Sequence, residues 1–158
     1  MPTMRLWLLL LFSFATPVLA ATAERPSFAG TTLDGKAFSI EGHRGQWLVV
    51  NFWATWCGPC IKEMPILDEL DRERADVTVV GLAFEDTPVE ELRSFVSERA
   101  VSYPIVQVDV YAPPADFEVP KGLPLTHLID PEGKLRQSFL GPITKADLER
   151  AISAAKAP

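Results

Sequence analysis

Apolar residues along this chain follow two different periods, and the alternation between them outlines the fold. From Trp47 to Ala54 the sequence reads WLVVNFWA, a nearly unbroken apolar and β-branched run that predicts a strand buried on both faces. VTVVGLAF (77–84) predicts a second such strand, and PIVQVDV (104–110) a third. Between the first two, Ile61, Met64, Leu67 and Leu70 recur at helical spacing, with Pro65 inside the pattern predicting a kink because it removes a backbone donor. Between the second and third, Val89, Leu92, Phe95 and Val96 form a helical apolar face, and Thr87-Pro88-Val89-Glu90 reads as a capping box with proline at the first helical position.

The flanks alternate with period two. FAGTTLDGKAFSI, two short runs about Asp34-Gly35, predicts a hairpin before the first buried strand. LTHLID and LRQSFL, joined by Pro131-Glu132-Gly133, predict a second hairpin, followed by a helix capped by Thr144 with Leu148, Ala151, Ile152 and Ala155 inward. Strands alternating with helices and ending in an antiparallel pair predict an α/β fold, a mixed sheet with helices on both faces. The one long irregular connection, Tyr111 to Pro124, is of a length that often carries function.

A chain of 158 residues with 47 % apolar content suffices for one well-formed core. Its formal charge of −6, from 15 basic and 21 acidic residues, leaves no surplus cation for phosphates and argues against nucleic-acid binding. Residues 1–20, MPTMRLWLLLLFSFATPVLA, place Arg5 before an apolar run too short for a bilayer, where ~20 residues are needed, and close on Val18-Leu19-Ala20. That pattern predicts a cleavable secretory signal and a mature domain of residues 21–158 working outside the cytoplasm, with an uncleaved anchor as the alternative.

The only cysteines, Cys57 and Cys60, lie three positions apart in NFWATWCGPCIKEMP. As a staple the pair would close a loop too small to constrain the unfolded chain. Zinc would require further ligands, and the chain offers only His43 and His127; c-type haem attachment would require histidine where Ile61 stands. A redox dithiol remains. Cys57, directly after a buried strand and at the start of a helix, meets unpaired N–H groups and the helix dipole, which favour its thiolate. Cys60, one turn in, is the resolving thiol, and Gly58 and Pro59 permit the turn and start the helix.

VVNFWATWCGPCIKEMP resembles the active-site segment of the thioredoxin superfamily, more narrowly the TlpA/ResA-like secreted thiol–disulfide oxidoreductases. LDGKAFSI, VVGLAFEDTPVEELRSFV and GLPLTHLIDPEGKL extend the likeness from about Pro26 to the C-terminus. The resemblance implies a thioredoxin fold with an N-terminal hairpin and an extra strand–helix insertion after the first βαβ unit. It also implies a cis-Pro124 facing the cysteines, with the backbone of Leu123 available to an extended substrate, and an acid at Glu63 that exchanges protons with the dithiol. A first-turn glutamate serving only the helix dipole is the plain alternative for Glu63. Asn51 stands where cytosolic thioredoxins carry a buried aspartate, so that role is absent or has passed to Glu63. The expected substrate-contacting set is Trp56, Gly58, Pro59, Leu123 and Pro124. Trp53 reads as core, Tyr111 and Phe117 as groove border or loop packing, and His43 and His127 as non-catalytic.

The function expected from these readings is a periplasmic protein-disulfide reductase, monomeric, with no metal or cofactor beyond the Cys57–Cys60 disulfide. With no third cysteine, its electrons come from a partner, in this family a membrane thiol donor. The resemblance implies oxidised protein substrates such as apocytochromes c, copper-site assembly proteins or other oxidised periplasmic proteins, and the sequence does not choose among them. A disulfide oxidase and a non-enzymatic copper-handling thiol protein are the alternatives. A peroxiredoxin is disfavoured by Ala54 and Val50, where that class places Thr or Ser and a proline.

Overall fold

The computed structural model describes residues 22–156, so the expected signal segment lies outside the described residues. The chain opens with a small antiparallel hairpin, β1 (Ala29–Thr31) and β2 (Ala37–Ser39), paired Gly30 to Phe38. Gly35, at φ 84°, occupies the left-handed turn position that the Asp34-Gly35 signal anticipates. A single 3-10 turn, Glu41–His43, leads into the main sheet.

The main sheet is built from β3 (Trp47–Trp53), β4 (Val77–Phe84), β5 (Ile105–Val108), β6 (Leu125–Ile129) and β7 (Leu135–Leu140), in spatial order β5-β4-β3-β6-β7. β3 runs parallel to β4 and antiparallel to β6, which makes the sheet mixed. All seven residues of β3 are buried, as its unbroken apolar run requires of a central strand. Helix α1 (Gly58–Glu73) crosses from β3 to β4. Next, α2 (Val89–Glu98) and β5 add a helix–strand pair at the sheet edge, and α3 (Lys145–Lys156) follows β7.

Pro65 sits exposed within α1, which spans it as one helix from Gly58 to Glu73. Two expectations change. The capping box at Thr87 does not form: Pro88 is the N-cap and makes no side-chain cap bond, while the Thr87 hydroxyl donates to Glu85. The other difference concerns the second face of the sheet. Every residue buried by α1, α2 and α3 that joins a hydrophobic cluster (Cys60, Met64, Leu67, Leu70, Leu92, Leu148, Ala151 and Ile152) lies with Val49, Trp53, Val79 and Leu128 on one face. The other face, with Leu48, Val50, Phe52, Leu82 and Leu125, is closed by Phe38 and Ile40 of the hairpin region and by Phe117. Phe117 comes from the 111–124 connection, whose prolines 113, 114, 120 and 124 cannot sustain a helix.

At the C-terminal end the cap expected at Thr144 forms. Thr144 and Asp147 cap α3 reciprocally: Asp147 N–H donates to Thr144 Oγ1 (3.2 Å) and Thr144 N–H to Asp147 Oδ2 (3.0 Å).

Candidate active site

At the C-terminal end of β3 the chain turns sharply, with Cys57 N–H donating to Ala54 carbonyl (3.1 Å), and enters α1 with Cys57 as N-cap. Pro59 stands in the first turn, where its missing donor has no helical partner to lose. Cys57 and Cys60 form a disulfide, with Cα atoms 5.3 Å apart. Cys60 N–H donates to Cys57 Sγ at 3.3 Å, so the first sulfur rests on a helix N-terminal amide, where a thiolate is favoured. Cys57 keeps 5 % of its surface open and Cys60 none. Trp56 is 72 % exposed and, with the exposed Gly58 and Pro59, stands at the rim, whereas Trp53 is wholly buried and stacks on Phe95.

Beneath the pair lies a polar group within the apolar core. One turn beyond Cys60, Glu63 is 2 % exposed. Asn51 Nδ2 donates to Glu63 Oε1 (2.8 Å) and to Thr126 Oγ1 (2.9 Å), and Ile143 N–H donates to Glu63 Oε2 (3.1 Å). Burial pushes the Glu63 carboxyl up to about 7, against the opposing pull of those two donors. Desolvation therefore wins, and Glu63 titrates near neutrality beside the disulfide. The register explains the meeting: Asn51 on β3 pairs directly with Thr126 on β6, which puts both side chains on the helix-covered face.

Leu123-Pro124 is a cis peptide, and Pro124 carbonyl accepts from Gly141 N–H (2.9 Å). A cleft of about 280 Å³ runs between Pro59, Lys62 and Ile66 of α1 and the Pro142-Ile143 segment, with Glu63 among its lining residues. A larger cleft of about 800 Å³, between the hairpin and α2, contains neither cysteine nor Glu63 and is not part of this site. Among the described residues, no group of three or more His, Cys, Asp or Glu is placed to hold a metal.

The residues singled out from sequence separate cleanly. Cys57, Cys60, Glu63 and Asn51 belong to one constellation at the start of α1, with Trp56, Gly58 and Pro59 on its rim. Phe117 packs inward, 5.6 Å from Phe52 and 5.2 Å from His127 by ring centroids, while Tyr111 is 85 % exposed. His127 faces away from the cysteines among those aromatics; burial pushes it down to about 4, so it stays neutral. His43 stacks on Phe38 of β2.

Thr126, Ile143 and Glu85 were not anticipated. Thr126 had a weak signal, a polar residue two positions past Pro124 in a strand that is apolar apart from it and His127. Ile143 contributes only its backbone amide, for which no side-chain signal exists. Glu85 carries the turn before Cys57 and was hidden in an ordinary strand-to-helix connection.

Comparison with known proteins agrees with this geometry. A relative named thioredoxin-like protein YneN, from Bacillus subtilis (strain 168), is 31 % identical over 132 residues, covering 82 % of this chain and 76 % of its own. Thiol-disulfide oxidoreductase ResA of Bacillus thuringiensis (strain Al Hakam) is 32 % identical over 128 residues, 80 % of this chain and 73 % of the relative. The crystal structure of a thiol:disulfide interchange protein of the thioredoxin family, from Chlorobium tepidum TLS, superposes with a TM-score of 0.70 at 28 % identity, over 89 % of this chain and 99 % of that one. The family model described as Redoxin matches residues 20–152. The chain belongs to the Redoxin family, as a ResA-like thiol–disulfide oxidoreductase of thioredoxin fold built around the Cys57–Cys60 pair.

Proposed function

We propose that this oxidoreductase works outside the cytoplasm, residues 1–20 serving as its export signal, and that it runs as a reductase of protein disulfides. The observation that carries the mechanism is the placement of Glu63, a buried carboxyl titrating near neutrality one helical turn from the resolving thiol. In the reduced protein, Cys57 thiolate attacks one sulfur of a substrate disulfide. An S–S bond to Cys57 forms, the substrate S–S bond breaks, and the departing thiolate takes a proton. The Cys60 thiol then gives its proton to Glu63 carboxylate and attacks Cys57 Sγ, expelling the second substrate thiolate and closing the Cys57–Cys60 disulfide. Two electrons pass to the substrate, and Glu63 supplies the proton that the second leaving thiolate takes up.

A dithiol donor must return the two electrons, and in an oxidising compartment a membrane thiol carrier is the source that fits. The cis-Leu123-Pro124 edge and the rim of Trp56, Gly58 and Pro59 serve the substrate chain beside its disulfide. Oxidised cysteine pairs of apocytochromes c or of copper-site proteins are the substrate class, in keeping with the resemblance. The Gly58-Pro59 dipeptide supports the reducing direction. Equilibration with glutathione redox buffers tests it: a potential near that of thioredoxin, about −270 mV, is expected, and one near about −120 mV would make the protein an oxidase.

A further inference from the structure

The turn that delivers Cys57 is held by a side chain outside the dithiol constellation. Glu85, one residue past β4, is 6 % exposed, and its Oε1 accepts Thr55 N–H at 2.6 Å. Oε2 accepts from the hydroxyls of Thr55 (2.8 Å) and Thr87 (2.8 Å). The backbone carbonyls of Glu85 and Thr87 in turn accept from Gln107 Nε2 (3.1 and 2.7 Å), on β5. Among the described residues Glu85 has no Lys, Arg or His within ion-pair distance, so hydrogen bonds alone compensate its burial. A buried acid with three donors aimed at it, two of them from Thr55, is an anchor for that residue. It also explains why Thr87 does not cap α2.

We propose that Glu85 is a positioning residue for Cys57: by fixing Thr55 it sets the Thr55-Trp56-Cys57 turn so that Cys57 Sγ rests on the Cys60 amide. Through Thr87 and Gln107 the same carboxylate ties that turn to the edge strand from which the 111–124 connection departs. The effect is geometric and does not depend on the charge of Glu85 as such. Glutamine can still accept from Thr55 N–H, and both threonine hydroxyls can turn to accept from its amide. Alanine leaves three donors unmatched.

The proposal rests on Cys57 being the attacking thiol, and its test separates the two ideas. In the reduced full-length protein, the titration of Cys57 is followed by thiolate absorbance, and the rate of attack on a small aromatic disulfide is measured beside it. Glu85→Ala should raise the Cys57 pKa by about one unit and slow attack at neutral pH about tenfold, the scale of one lost charged hydrogen bond. Glu85→Gln should restore both to within about twofold. An unchanged Cys57 pKa in Glu85→Ala, accompanied only by a lower urea midpoint, would overturn the positioning role. Equal impairment in Glu85→Gln would also overturn it, since charge would then be the agent. Should Glu85→Ala fail to fold, Thr55→Val removes one hydroxyl donor, and the same upward direction at smaller size is required; no shift refutes the proposal. Loss of the titrating thiolate in Cys60→Ser instead of Cys57→Ser would remove the underlying assignment of the attacking thiol, whatever Glu85 does.

Discussion

Replacing Glu63 by glutamine should change how the stability of the disulfide form depends on pH. The Glu63 carboxyl is pushed up from 4.5 to about 7, burial being the largest cause. At 1.36 kcal/mol per unit, the ionised form costs about 3 kcal/mol of folding stability at pH well above 7. Because the folded-state value lies above the unfolded one, the contribution of Glu63 is fully present below about pH 4.5 and is lost as pH rises through 7. Glutamine keeps an acceptor for Ile143 N–H and carries no charge, and rearranging the Asn51 contact costs about 1 kcal/mol at every pH. Urea unfolding of both oxidised proteins at half-unit steps from pH 5 to 8.5 gives the difference directly. Any other titrating group cancels between the two. The variant should be the less stable at pH 5 and gain on the parent by about 2–3 kcal/mol by pH 8.5, with m-values unchanged. A difference that stays constant over that range would show that Glu63 is not a neutral buried acid, and the proton-exchange role would fall with it.

The opposite face supplies an opposite pH effect. His127 is held down to about 4 by burial, below its unfolded value of 6.5, so the parent should lose about 3 kcal/mol as pH falls from 6.5 to 4; His127→Leu should lack that loss in urea unfolding, and a parallel loss would refute the assignment. Phe117→Ala should destabilise by about 3 kcal/mol and open residues 109–124 to hydrogen exchange, since this ring anchors the connection between Phe52 and His127. Tyr111→Ala, at an exposed position, should change stability by less than about 0.5 kcal/mol; a loss comparable to that of Phe117→Ala would mean that both aromatics pack the loop down.

Much of this fold was legible because its strongest signals are local and redundant. The run VTVVGLAF maps residue for residue onto β4, and the Thr144 cap appears with its reciprocal partner. The third strand is shorter than PIVQVDV suggests, ending at Val108, because Asp109 turns its carboxylate back to Tyr111 N–H (2.7 Å). The Thr87 cap fails because the carboxylate two residues earlier, buried and held in place by Thr55 from across the fold, takes the same hydroxyl. At the site, Cys57, Cys60 and Glu63 are neighbours in sequence and therefore readable from spacing. Asn51, Thr126 and Ile143 converge on Glu63 only through strand register and the path of the chain after β7, which no local pattern encodes.

The central claim is that Cys57 attacks and Cys60 resolves, and covalent trapping in the native compartment tests it most directly. The Cys60→Ser variant should accumulate mixed disulfides through Cys57, with substrate proteins and with the electron donor, because nothing remains to expel them. The Cys57→Ser variant should trap none, since Cys60 is wholly buried behind it. Mixed disulfides that collect on Cys57→Ser and not on Cys60→Ser would reverse the roles and contradict the account.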